Sequence, residues 1–139
     1  MFGDREQIRQ FYFTVWNKLQ TDAELQPLEA LVGSVIKEHP EYHSLLGSPD
    51  ASKDADFSPD QGQTNPFLHM GMHIALREQI QGRRPAGIFD VYETLSKKCG
   101  DAHEAEHQMM ECLGAAMWTA QSNKAEPDEA TYMECLKKL

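Results

Sequence analysis

Apolar residues recur every three or four positions along almost the whole chain, and no segment alternates apolar and polar residues. That pattern removes sheets and leaves helices, because a helix buries a stripe of period 3.6 whereas a half-buried strand needs period two. Ile8, Phe11, Tyr12, Val15, Trp16 and Leu19 form the first stripe, over residues 4–20. Asp4 would cap it, and Glu6 would suit the dipole in its first turn. Leu25, Leu28, Leu31, Val32, Val35 and Ile36 repeat the pattern over 24–38. The residue before a proline avoids helical geometry, so His39, which precedes Pro40, should end that helix. Pro40 can then open a short second turn over 41–46.

Residues 47–63 form the one long irregular segment, rich in turn formers and acidic groups, with Phe57 as its only large apolar anchor. It leads into a helix over about 65–81, capped by Thr64 or Asn65 and started by Pro66, and since that helix bears His69 and His73 the segment could cover one mouth of a histidine site. Gly82 to Gly87 ends this helix. Ile88, Val91, Tyr92, Leu95 and Cys99 mark another, which stops at Gly100. Asp101 caps a helix carrying His103, His107, Met110, Gly114 and Met117 on one stripe, with Leu113 and Trp118 beside it. Pro127 and Asp128 start a last helix that packs Tyr132, Cys135, Leu136 and Leu139. The expectation is an all-α bundle of about six helices in a single domain, 1–139, a length that buries a sizeable core.

The histidines carry the functional signal. There are six, and each belongs to an i, i+4 pair: His39/His43, His69/His73 and His103/His107. Random placement would give roughly 0.2 such pairs, so three are far above chance. One helical turn puts two rings on one face, where they can share an ion. Bundles build metal sites from such side chains on facing helices. The expected ligands are His69, His73, His103 and His107, completed by His39 and His43, although Pro40 interrupts the first pair. Glu104 gives the one Glu-x-x-His spacing and joins the list as a carboxylate ligand or catalytic group. Many imidazoles and few carboxylates favour zinc or iron, then nickel, copper or manganese, over magnesium or calcium. The duller alternatives are core or boundary histidines, first-turn or surface roles for Glu104, Glu106 and Glu111, a solvated Arg77, and methionines that fill the core.

The net charge of -9 argues against nucleic acid and anionic membranes as partners, and no apolar stretch approaches a membrane span. The N-terminal residues contain no apolar signal region. Three cysteines without a Cys-x-x-Cys spacing suggest no disulfide framework and a reducing cytoplasm, with Cys112 and Cys135 as small core residues.

The segments His39-Pro40-Glu41-Tyr42-His43, Asn65-Pro66-Phe67-Leu68-His69-Met70-Gly71-Met72-His73 and 103–113 resemble those of a bacterial family catalogued only as domain of unknown function 1841. The resemblance covers nearly the whole chain. It implies a bacterial, single-domain, cytoplasmic protein and brings no activity, substrate or catalytic residue. Paired histidines in a helical bundle are also similar in architecture to hemerythrin-like and DinB-like metal proteins, an analogy that does not settle function.

Two classes of function follow. The first is a transition-metal-binding bundle, either a closed store or a metal-dependent hydrolase or oxidoreductase with an open coordination position. The alternative is a metal-free protein–protein interaction module with buried histidines, serving a homodimer or a protein partner. A histidine pH switch ranks below both.

Overall fold

The computed structural model of the chain describes residues 5–49 and 65–139. The expected cap at Asp4, the anchor at Phe57, the cap at Thr64 and all but the start of the 47–63 segment lie outside the described residues. Within them the fold is all-α, with no strand. The helices are α1 (Arg5–Gln20), α2 (Pro27–Lys37), a 3-10 turn (Pro40–Tyr42), α3 (His43–Leu46), α4 (Pro66–Gly82), α5 (Ile88–Cys99), α6 (Ala102–Ser122) and α7 (Glu129–Lys137). These seven described helices agree with the expected bundle of about six, the short turn after Pro40 continuing into α3. The chain divides into two compact units, 1–71 and 72–139, with the division falling inside α4.

In the first unit the helices begin where the sequence says. Pro27 occupies the first position of α2, and Glu29 folds back so that its carboxylate accepts the Gln26 N–H at 2.8 Å and Lys18 Nζ–H at 2.7 Å. Those bonds hold the Glu29 carboxyl below its ordinary range, the Lys18 hydrogen bond foremost. Asn65 caps α4: its Oδ1 accepts the Phe67 N–H at 3.0 Å. Tyr12, Phe13, Val15, Val32, Val35, Ile36, Leu46, Phe67 and Met70 build the core of this unit.

Two positions correct the expected stripes. Ile8 and Leu28 are exposed, whereas Arg9 is buried with its guanidinium 4.7 Å from the centre of the Phe67 ring. A weakly hydrated guanidinium over an aromatic face can occupy a place that periodicity assigns to an aliphatic side chain.

In the second unit Leu76, Ile80, Ile88, Leu95, Met109, Met110, Leu113, Tyr132, Met133 and Leu136 form one apolar cluster drawn from α4, α5, α6 and α7. Gly100 ends α5 at φ +74°, a left-handed geometry that costs glycine least, and its N–H bonds to the Ser96 carbonyl. Asp101 and Asp128 cap α6 and α7 with their carboxylates. The α6 stripe is rotated from the expected one. Ala105, Glu106, Met109, Met110 and Leu113 are buried, His103, His107, Gly114 and Met117 are half-buried, and Trp118 is 70% exposed.

The reading of the cysteines is also corrected. Cys112 of α6 and Cys135 of α7 form a disulfide with a Cα–Cα distance of 5.7 Å. Local spacing rules miss this bond because the packing of α6 on α7 joins two residues 23 apart in sequence. Cys99 is the free cysteine among the described residues. With two of the three cysteines bonded, the cysteines no longer point to a reducing compartment. No described helix is long and apolar enough to cross a membrane.

Candidate metal centre

Three of the six histidines come together in the second unit. His73 projects from α4, and His103 and His107 lie one turn apart near the start of α6. The ring centres are 4.4 Å apart for His103 and His107, 4.9 Å for His73 and His107, and 5.1 Å for His73 and His103. Each can offer one ring nitrogen such that all three atoms lie within 4.8 Å of one another. His73 is fully buried, and the other two are half-buried.

Glu106 orients the centre. His73 Nδ1–H donates to Glu106 Oε1 at 2.9 Å, which fixes the tautomer because a carboxylate can only accept. That leaves Nε2 of His73 as the nitrogen able to bind an ion. Arg77, one turn beyond His73, donates its Nε–H to both Glu106 oxygens at 3.1 and 3.2 Å. Burial pushes the Glu106 carboxyl up, but the hydrogen bonds and charges of His73 and Arg77 outweigh it and hold the group below its ordinary range. Glu106 is therefore an ionised carboxylate held behind a histidine.

This corrects two of the duller expectations. Glu106 is a buried partner of His73, not a surface acid, and Arg77 is paired with it rather than solvated. Glu104, the carboxylate singled out by its spacing to His107, is exposed in the first turn of α6 and is not among the residues brought together. A two-position difference, about half a helical turn, decides this: Glu106 faces the apolar interior with Met109 and Met110, while Glu104 faces out.

The remaining histidines lie in the first unit. His39 is buried, and its Nδ1–H donates to the Val35 carbonyl at 2.8 Å. Its ring stacks on Tyr42 with centres 5.5 Å apart and meets the His69 ring edge-on at 5.1 Å. Pro40 does separate the roles of the first pair: His43 Nε2–H donates to the Ile36 carbonyl at 2.9 Å, and its ring lies 4.6 Å from that of Trp16. His43 and His69 are outside the group of gathered ring nitrogens.

No curated protein and no solved structure matches the chain. The model of the family described as "Domain of unknown function (DUF1841)" matches residues 4–138, and the chain belongs to that family.

Proposed function

We propose that this protein binds one transition-metal ion through His73, His103 and His107, with zinc or iron as the ion its donors suit best. The observation that carries the reading is the gathering of three imidazoles with a buried carboxylate behind one of them. Ligating histidines commonly donate their second N–H to a carboxylate, which orients the ring and makes its other nitrogen more basic. Tetrahedral zinc with Zn–N bonds of about 2.0–2.1 Å sets its ligands about 3.3 Å apart, so small ring rotations from a spread of 4.8 Å would close the group on an ion. Imidazole donors also admit nickel, copper and, less well, manganese, and they disfavour magnesium and calcium.

The sequence also offers His69, His39 and His43 as ligands, and His39 is proposed here as the fourth. With Nδ1 already given to a carbonyl, Nε2 is the atom His39 would contribute.

The test is elemental analysis by plasma mass spectrometry on untagged protein, beside His73→Ala/His103→Ala and His39→Ala variants. Near-stoichiometric metal, lost in the double variant, supports the centre and names the ion. Loss in His39→Ala as well supports the fourth ligand. No metal, with no melting shift on adding zinc, iron, nickel, copper, cobalt or manganese, overturns the reading and leaves the metal-free interaction module.

A further inference from the structure

A cavity of about 320 Å³ in the second unit has the Cys112–Cys135 disulfide in its wall. Ala116, Thr119, Ala120 and Tyr132 line it too, and Thr119 is exposed, so the cavity reaches the surface. Disulfides wholly enclosed by a core are shielded from exchange, because a thiolate must reach one sulfur along the S–S axis. Here small side chains leave open space beside the bond. Cys112 is 2% exposed and Cys135 is half-buried, so Cys135 is the more open end of the bond.

The bond also has a mechanical position relative to the histidines. Helix α7 carries no proposed ligand, yet it is tied to both helices that do. The disulfide joins it to α6, which bears His103, Glu106 and His107. The Tyr132 hydroxyl joins it to α4, donating to Gln79 Oε1 at 2.8 Å, two residues beyond Arg77. Its Tyr132, Met133 and Leu136 side chains complete the apolar cluster beneath α4 and α6. At 9 residues, α7 is too short to hold its helical form without such packing.

We propose that this cavity is a thiol–disulfide exchange site for a small dithiol reductant, and that opening the bond loosens the metal centre by releasing α7. The second half rests on the metal reading above. In the reaction, the reductant's thiolate attacks Cys135 Sγ, forming a mixed disulfide, while the Cys112–Cys135 bond breaks and Cys112 leaves with the electron pair and takes up a proton. The reductant's second thiol, as thiolate, then attacks its own first sulfur and frees Cys135, which is protonated in turn. Two electrons and two protons pass to the protein, and the dithiol becomes a cyclic disulfide.

The experiment uses the full chain, loaded with zinc. Thiol titration of the denatured, unreduced protein should find one free thiol (Cys99), and three after treatment with dithiothreitol. Protein that has been reduced, alkylated and freed of reductant should surrender zinc to a chromophoric chelator at least about 10-fold faster than the oxidised form. The Cys112→Ser/Cys135→Ser variant should release zinc at the fast rate with or without reductant, which excludes an effect of alkylation. Thr119→Trp, at the exposed rim, should slow reduction about fivefold or more while leaving zinc release from the oxidised form unchanged. Three thiols in the unreduced protein, or reduction unaffected by Thr119→Trp, overturns the exchange site. Equal zinc release from oxidised and reduced protein overturns the coupling but leaves the metal centre standing. Failure of every form to take up zinc, or any of the other metals above, removes the metal reading, while thiol counts and reduction rates still judge the exchange site.

Discussion

Nδ1 of His73 lies 2.9 Å from Oε1 of Glu106, and the same oxygen lies 3.1 Å from Nε of Arg77. One buried carboxylate thus accepts from a histidine and an arginine on successive turns of α4. The arginine keeps Glu106 ionised, and the ionised carboxylate keeps the His73 proton on Nδ1. The proposed ligand atom is therefore set by a residue that is not itself among the proposed ligands.

Replacing Glu106 should weaken the metal centre without removing a ligand. Glu106→Gln keeps the shape but takes away the charge that makes His73 a stronger donor, and changes to a residue that orients a ligating histidine cost about 10–100-fold in metal affinity. Competition against a chromophoric chelator reads this directly. Affinity within about twofold of the parent would separate Glu106 from metal binding and leave it as an ion-pair partner of Arg77.

His43 should behave differently from His73. Its Nε2–H is committed to the Ile36 carbonyl and its ring packs on Trp16. His43→Ala should keep the metal and lower stability by about 1 kcal/mol, the usual scale for one intramolecular hydrogen bond plus modest packing. Chemical denaturation and metal content, measured on the same preparation, check both halves. Loss of metal in His43→Ala would return His43 to the ligand set.

Helix ends were legible at Asn65, Gly100, Asp101 and Asp128, because a cap is a local interaction between neighbours in sequence. The pairing of His103 and His107 was legible for the same reason. The Glu-x-x-His spacing points to Glu104, whereas the i, i+3, i+4 and i+7 relation of Glu106 to Met109, Met110 and Leu113 marks the face that is buried; a stripe drawn through His103 and His107 hides it. The Arg77–Glu106 and Cys112–Cys135 pairs were hidden for a related reason: each joins residues on different helices, and no spacing rule carries that information. Arg9 is a third kind of miss, a charged residue whose burial depends on one aromatic ring far along the chain.

The disulfide should contribute measurably to stability. Closing a loop of this span, with a separation of 23 residues, restricts the unfolded chain by about 3 kcal/mol in the chain-entropy account. The Cys112→Ser/Cys135→Ser variant should therefore unfold at lower denaturant, with a loss of about 2–4 kcal/mol. Reduction of the parent should reproduce the shift and leave the variant unaffected. A parent protein whose midpoint does not move on reduction would show that packing alone holds α7.

Tyr132 should make the second unit sensitive to alkali. Burial pushes its phenol up to about 12, while the hydroxyl donates to Gln79. In the unfolded chain the group titrates near 10. A folded-state value above the unfolded one means that the contribution to stability is complete below about pH 10 and is lost as the pH rises from about 10 through 12. Tyr132 lines the cavity rather than lying in closed core, so the loss is discounted to on the order of 1–2 kcal/mol. Tyr132→Phe should be slightly less stable near neutrality, because Gln79 loses a donor, but its stability should fall less steeply over the alkaline range. Parallel denaturation series across that range give the two slopes. If the slopes coincide, the Tyr132 phenol ionises as easily in the folded protein as in the unfolded chain, and the alkaline weakness must lie elsewhere.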